Sequence, residues 1–388
     1  MSRHTELLII GAGPFGLAMA AYASHHHMDY LVVGHPMSFW HTHMPQGMCL
    51  RSACDWHLDP LKIHTIEAYL HTQQLRPADV EPLSRDVYVR YALWFQQQKR
   101  IEPLCMSVEQ LNSSPDAPHI FEAILADGEM ITARNVLLAV GFQYFQHIPD
   151  ELAQTIPPGY FLHTCDCVRF DAFQGKRCLI IGGRQSAFEW AALLHEHGAA
   201  AIHVSHRHAT PEFRRSDWSW VGPLVEAMVD DPGWFRRLTV EEKQALNQRF
   251  WAEGRLKLEP WLKPRIDHDP IKIWPTSQMV SCQQLPQGAL EVTLSVGERL
   301  TVDHFILATG YQVNMAHIPF LRRGNILPRL QRHNGYPVLD EHFQSNLPGL
   351  FITSMAATQD FGAFFAFTVS VGASARIIGS FLKSPVAR

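Results

Sequence analysis

The sequence predicts an α/β protein of two nested modules with one layout, each a parallel sheet carrying a small antiparallel flap. Two observations carry this. An apolar run meets a glycine-rich turn at Gly11-Ala12-Gly13-Pro14-Phe15-Gly16, and again at Gly182-Gly183-Arg184-Gln185-Ser186-Ala187. Further on, Val136-Leu137-Leu138-Ala139-Val140-Gly141 and Phe305-Ile306-Leu307-Ala308-Thr309-Gly310 each close on a glycine. The openings lie 171 residues apart and the closings 169, so the spacing itself repeats.

Taken in order, Leu7-Leu8-Ile9-Ile10 reads as a first strand, followed by the glycine turn and a helical stretch. A second strand falls near 30–33, and Asp127-Gly128 marks the turn of a hairpin that leads into the closing strand. Cys178-Leu179-Ile180-Ile181 opens the second module, with its second strand near 201–204. Its hairpin spans 290–300 and turns at Gly297. Between 214 and 266 the texture changes. Trp218, Trp220, Trp234, Trp251 and Trp261 cluster there, and Thr239-Val240-Glu241-Glu242 resembles a capping box, so a mainly helical elaboration is expected. After Gly310 the tail is too short for a third module. It holds a strand at 349–353 and an uncharged run at 361–375, expected to be one buried helix on the first module. The expected division is therefore 1–157 with 312–388 for the first domain, and 158–311 for the second.

Composition narrows the function. The chain has 388 residues, 18% charged and 46% hydrophobic, which suits a well-buried enzyme. A net charge of −4 and the lack of a long basic run argue against a nucleic-acid partner. The uncharged run at 361–375 is shorter than the roughly 20 residues a membrane span needs. Seven dispersed cysteines read as reduced thiols, and the opening residues resemble no signal peptide, so a cytoplasmic protein is expected. His25-His26-His27 reads as a solvated helix end, and no metal site is expected.

The turns imply dinucleotides. Gly11 permits the tight strand-to-helix turn, Gly13 lets the backbone approach a pyrophosphate, and Gly16 lets helix and strand pack closely, making Rossmann-like domains of both modules. Pro14 and Phe15 open the helix beneath the phosphates. The second strand ends Gly34-His35-Pro36, without the usual ribose-binding acid, which leaves His35 or backbone groups to hold the adenosine. In the second turn Arg184 replaces the middle glycine, so the usual close-approach loop is not expected there. A guanidinium at a helix N-terminus calls for an anion, which a nucleotide phosphate would supply, and Gly182, Gln185 and Ser186 complete the turn. Arg207 follows the module's second strand where an acid would favour NAD; an arginine suits the 2′-phosphate of NADPH.

Together these residues resemble the group B flavoprotein monooxygenases, which include flavin-containing monooxygenases and N-hydroxylases. Gly11-x-Gly13-x-x-Gly16 resembles the FAD motif of that group, and Trp40 a tryptophan of its flavin loop. Met44-Pro45-x-Gly47-Met48-x-Leu50-Arg51-Ser52 resembles the segment lining the flavin. Phe161-x-His163-Thr164 and Phe173-x-Gly175-Lys176 resemble part of its linker signature, and Ala308-Thr309-Gly310-Tyr311 its hinge. The resemblance implies FAD and NADPH as cofactors, O₂ as co-substrate, and transfer of one oxygen atom through a C4a-(hydro)peroxyflavin to a small substrate, an amine or aromatic heterocycle. It places Met48, Arg51 and Ser52 near the flavin, Thr309 and Gly310 between the cofactors, and Phe361 with Gly362 as a cap. Two alternatives stay open. Cys49 and Cys54 are spaced for a disulfide oxidoreductase, and a flavin- or NADP-binding sensor without chemistry shares the same plan.

Overall fold

The computed structural model describes residues 2–52, 54–114 and 120–384. The first sheet starts from β1 (Ser2–Ile10), whose apolar end leads through the glycine turn into α1 (Pro14–His25). It continues with β2 (Tyr30–Val33), β3 (Val108–Ser113), β4 (Phe121–Leu125) and β5 (Met130–Leu138). The strand order is β2-β1-β5-β4-β3. β1 pairs in parallel with β2 and β5, while β4 runs antiparallel to β3 and β5. The later half of β5 also takes a parallel partner from far down the chain, Leu350–Ile352.

The second sheet is parallel throughout. It contains β6 (Phe161–His163), β7 (Arg177–Ile181), β8 (Ala201–Ser205), β9 (Ile271–Trp274) and, after the flap, His304–Leu307, with α2 (Gln185–Glu196) following β7. The flap is a separate antiparallel sheet of β10 (Met279–Gln284), β11 (Leu290–Leu294) and β12 (Arg299–Val302). Both modules thus have a parallel sheet and an antiparallel flap, fused to the sheet in the first and detached in the second.

α1 is apolar on all sides, and its residues from Pro14 to Ala23 are buried. Such a helix needs cover on both faces. The sheet supplies one and the C-terminal helix Val371–Lys383 the other. Its Gly379 leaves the notch filled by Tyr22; a Cβ there would stand 2.1 Å from that ring. The uncharged run at 361–375 is not the single helix expected. Gly362, at φ +94°, ends the helical turn Thr358–Phe361, two 3₁₀ turns follow, and regular helix begins only at Val371.

The 214–266 segment forms α3 (Val221–Asp230), α4 (Trp234–Arg237) and α5 (Val240–Gly254). Thr239 and Glu242 make the reciprocal capping-box bonds at the start of α5. Although these helices sit within the second module's sequence, Val221, Val225, Met228 and Phe235 pack into the first module's core, beside Val371 and Ala375. Arg376 pairs with Glu226 across that contact at 2.6 Å. The insertion therefore bridges both modules. Among the described residues no helix is long and apolar enough to cross a membrane, and no group of His, Cys, Asp or Glu is arranged to hold a metal.

Candidate functional site

One cavity of about 1420 Å³ runs between the modules and is lined by both glycine turns. The turns are built alike. Gly11 sits at φ +115°, where a Cβ would lie 2.4 Å from the Ala139 carbonyl oxygen; Gly182 sits at φ +146°, with its Cβ 2.5 Å from that of Ala308. Each turn thus rests against its module's closing strand, and only glycine fits. Gly11 N–H donates to Val33 O at 2.8 Å, and Gly182 N–H to Ser205 O at 3.0 Å. A Cβ at Gly16 would stand 1.8 Å from Gly11 O, so this residue serves helix–strand packing; it does not line the cavity.

Arg184 corrects an expectation. Its backbone (φ −115°, ψ −177°) matches Gly13 (φ −84°, ψ −169°), so the turn keeps its usual path. The reason is local. Negative φ admits any residue, and a Cβ at Gly13 would meet nothing within 4 Å. What differs is the space in front of the turn: open at Gly13, and entered at position 184 by a side chain whose guanidinium donates to Arg255 O at 2.6 Å. Burial, then the Arg255 charge, lowers the pKa of Arg184. Neither arginine has a carboxylate partner among the described residues. Arg207 is exposed on the same cavity.

The other expected residues divide. Pro14, Phe15, His35, Trp40, Met48, Gln185, Ser186, Thr309 and Gly310 all line the cavity. The Trp40 ring stacks on Tyr88 at 4.7 Å. Thr309 Oγ1 donates to His147 O at 2.5 Å. Gly310 O accepts from His163 Nε2 at 3.0 Å, which pins the hinge. Arg51 and Ser52 also line the cavity, but Arg51 is not a free group near a flavin. Its guanidinium bonds Glu259 at 3.0 Å, Ser216 Oγ at 2.5 Å and the carbonyls of Glu253, Gly254 and Lys257. It fastens both ends of the insertion to the loop. Phe361 and Gly362 form no cap. Phe361 is fully buried, stacked 3.6 Å from Phe343, and the cavity wall is made instead by Ala363, Ala366 and Phe367.

Cys49 and Cys54 are free thiols, each pushed up to about 11 chiefly by burial. A redox pair needs an accessible thiolate, and these environments suppress it.

Glu189 is the residue the sequence reading missed. It lies on α2, is 1% exposed, and its carboxylate accepts from the Cys49 N–H of the flavin-loop segment at 3.0 Å. Burial raises its pKa to about 7. The available signal was a charge inside the apolar run Ala187-Phe188-Glu189-Trp190-Ala191.

Residues 8–248 match the pyridine nucleotide-disulphide oxidoreductase family. The chain belongs to this family. An FAD-dependent urate hydroxylase of Xanthomonas campestris pv. campestris is 31% identical over 134 residues, covering 34% of this chain and 28% of that protein. The probable indole-3-pyruvate monooxygenase YUCCA8 of Arabidopsis thaliana is 23% identical over 375 residues, 89% of this chain and 82% of its own. The ornithine N-hydroxylase of Kutzneria sp. 744 superposes with a TM-score of 0.78 at 14% identity, covering 98% of this chain and 99% of that one. The fold is therefore that of the ornithine N-hydroxylase, and as a member of its family the chain is an oxidoreductase.

The residues present fit two dinucleotides. The first turn leaves Gly13 facing open space. The second half of the cavity holds buried polar atoms without partners among the described residues, Trp190 Nε1, His206 Nε2 and Ser277 Oγ, beside arginines that have no carboxylate partner there. Orphaned buried polar atoms of this kind are normally satisfied by a ligand or ordered water.

Proposed function

We propose that this chain is an NADPH-dependent flavin monooxygenase that places one atom of O₂ into a small organic substrate, an amine or aromatic heterocycle, and releases the other as water. The observation that carries the reading is that one cavity joins both turns, so two dinucleotides bound there meet end to end. Urate and indole-3-pyruvate, named for the sequence relatives, are heterocycles, whereas ornithine, named for the structural neighbour, is an amine.

Gly11, Gly13, Pro14 and Phe15 would receive the FAD pyrophosphate on the N-terminus of α1, with His35 beside the ribose. Trp40, Met48 and Ser52 would flank the ring system. Gly182, Arg184, Gln185, Ser186 and Arg207 would take NADPH, with Arg207 on its 2′-phosphate. Thr309 and Gly310 sit where the two cofactors converge. When bound, FAD accepts hydride from NADPH and activates O₂. The chain contributes binding, orientation and the exclusion of water, the last through Phe142 and Phe367 on the wall.

The test is a purified protein assayed with NADPH and candidate amines and heterocycles under ¹⁸O₂ in place of air. A yellow protein that bleaches with NADPH, recovers in air and yields product bearing one ¹⁸O supports the reading. A protein that neither carries nor takes up flavin ends it. A flavoprotein that reduces a disulfide and loses this on Cys49→Ser would move it to the disulfide class.

A further inference from the structure

One wall of the cavity is a row of aromatic rings gathered from four separate stretches of chain. Trp56 comes from the loop after Ser52, Trp218 and Phe250 from the insertion, Phe367 from between the two 3₁₀ turns, and Phe142 from the end of the closing strand. Neighbouring ring centroids along the row lie 6.2, 5.4, 5.7 and 6.4 Å apart. The rings are tilted rather than stacked, by 37° to 59°. Each therefore presents some face or edge to the cavity, the arrangement in which a further aromatic ring packs well.

Trp218 and Phe250 pack against the first module's core on one side, but the row as a whole is not closed over. Phe367 is 44% exposed although its neighbours Phe364 and Phe365 are buried. Large apolar surface left open inside a concave site marks ligand contact. The row is also held in place. Arg51 ties Ser216, Glu253 and Gly254 to the flavin loop, fixing the segments that carry Trp218 and Phe250.

The charged residues disfavour the other substrate type. Among the described residues the cavity is lined by two acids, Glu151 and Glu189, and by no lysine. Glu189 is buried and occupied by the Cys49 N–H. Glu151 rides on Asp150–Thr155, whose Leu152 packs against the second module's flap core. The five rings carry no acid among them, and four arginines against two acids line the same cavity, so an alkylammonium laid along the row meets a wall whose charge balance disfavours a cation. Leaving an ammonium unpaired on an apolar wall is costly.

We infer that the substrate is a planar aromatic compound without an ammonium group, of one or two fused rings, laid against the row from Trp218 through Phe250 to Phe367. This rests on the monooxygenase reading for what is done to the ring, but the binding surface stands apart from it, and the test separates the two.

The FAD-loaded protein with NADP⁺ is titrated calorimetrically with indole and with xanthine, and in parallel with L-ornithine and cadaverine. The expected result is heat from an aromatic compound and none from the amines, with Phe367→Ala raising the aromatic Kd roughly tenfold. Phe367 is partly exposed, so its removal leaves the fold intact, and Phe250→Leu supplies a second variant with the same expected direction. Binding of ornithine or cadaverine as tight as that of the aromatic compounds overturns the inference. So does an aromatic Kd unchanged in both variants. If the aromatic compounds bind as described yet leave NADPH oxidation and O₂ uptake at their resting rates, the monooxygenase reading fails while the aromatic site stands.

Discussion

The two glycine turns have the same backbone and different faces. Residue by residue, Gly11 matches Gly182, Gly13 matches Arg184 and Ala18 matches Glu189, all 171 apart. Where the turn must press on its closing strand the residue type is retained, because only a glycine survives a carbonyl within 2.5 Å at positive φ. Where the position faces the cavity, one turn has an open cradle and the other a cation. On the buried side of the helix, one has a methyl group and the other a carboxylate. Shared residues make the fold, and the divergent ones make each site.

The largest effect should come from the shared position. Gly11→Val and Gly182→Val each force a branched side chain into a carbonyl at a left-handed φ, and each should cost more than about 4 kcal/mol, with melting temperature or soluble yield collapsing. By contrast Gly13→Ala should fold normally and lose flavin, since its Cβ meets only the cradle space. Equal melting temperatures for Gly11→Val and the parent chain would show that the turn does not press on its strand.

The second contrast is Ala18 against Glu189. Glu189 has a folded-state pKa of about 7 against 4.5 unperturbed, raised by burial. Below about pH 4.5 the carboxyl is neutral in both states and costs nothing. As pH rises toward 7 the unfolded chain ionises while the native one holds its proton, so stability is lost across that window and stays low above it, by roughly 3 kcal/mol. Glu189→Gln removes this dependence and still accepts from the Cys49 N–H. The variant should match the parent near pH 5 and melt higher near pH 8; a gap independent of pH would mean the carboxyl ionises freely.

How much of this was legible follows from how local each signal is. The turns, the hairpins at Gly128 and Gly297 and the capping box at Thr239 are written in consecutive residues, and the structure forms them. The ring row is not, because Trp56, Phe142, Phe250 and Phe367 are brought together only by tertiary packing. The cap came from the family resemblance and not from a pattern in these residues. Reading 361–375 as one buried helix missed the break at Gly362, after which Phe361 is buried and Phe367 exposed. Arg51 was expected near the flavin, and its partners at 216 and 253–259 come from a distant segment that no local pattern announces.

A smaller effect separates the cradles themselves. Arg207→Ala should weaken NADPH binding about tenfold and leave NADH nearly unchanged, because one charge-assisted pair to the 2′-phosphate is lost and NADH lacks that group. Flavin binding at the first turn should not move. An equal loss for both nucleotides would place Arg207 on a phosphate common to the two, and so beside Arg184 rather than at the ribose.

The smallest effect expected is none at all, and it tests what lies between the turns. A disulfide-reducing enzyme with the same two turns would need a thiolate pair there, and Cys49 and Cys54 are the candidates by sequence. Their thiols sit near 11, so at neutral pH about one in ten thousand is ionised. What the structure uses at position 49 is the backbone N–H that donates to Glu189, which serine retains. Cys49→Ser with Cys54→Ser should therefore keep NADPH oxidation within about twofold of the parent. Loss of flavin reoxidation in that double variant, with flavin still bound, would show that electrons pass through sulfur, and that the open wall beside the rings serves another purpose.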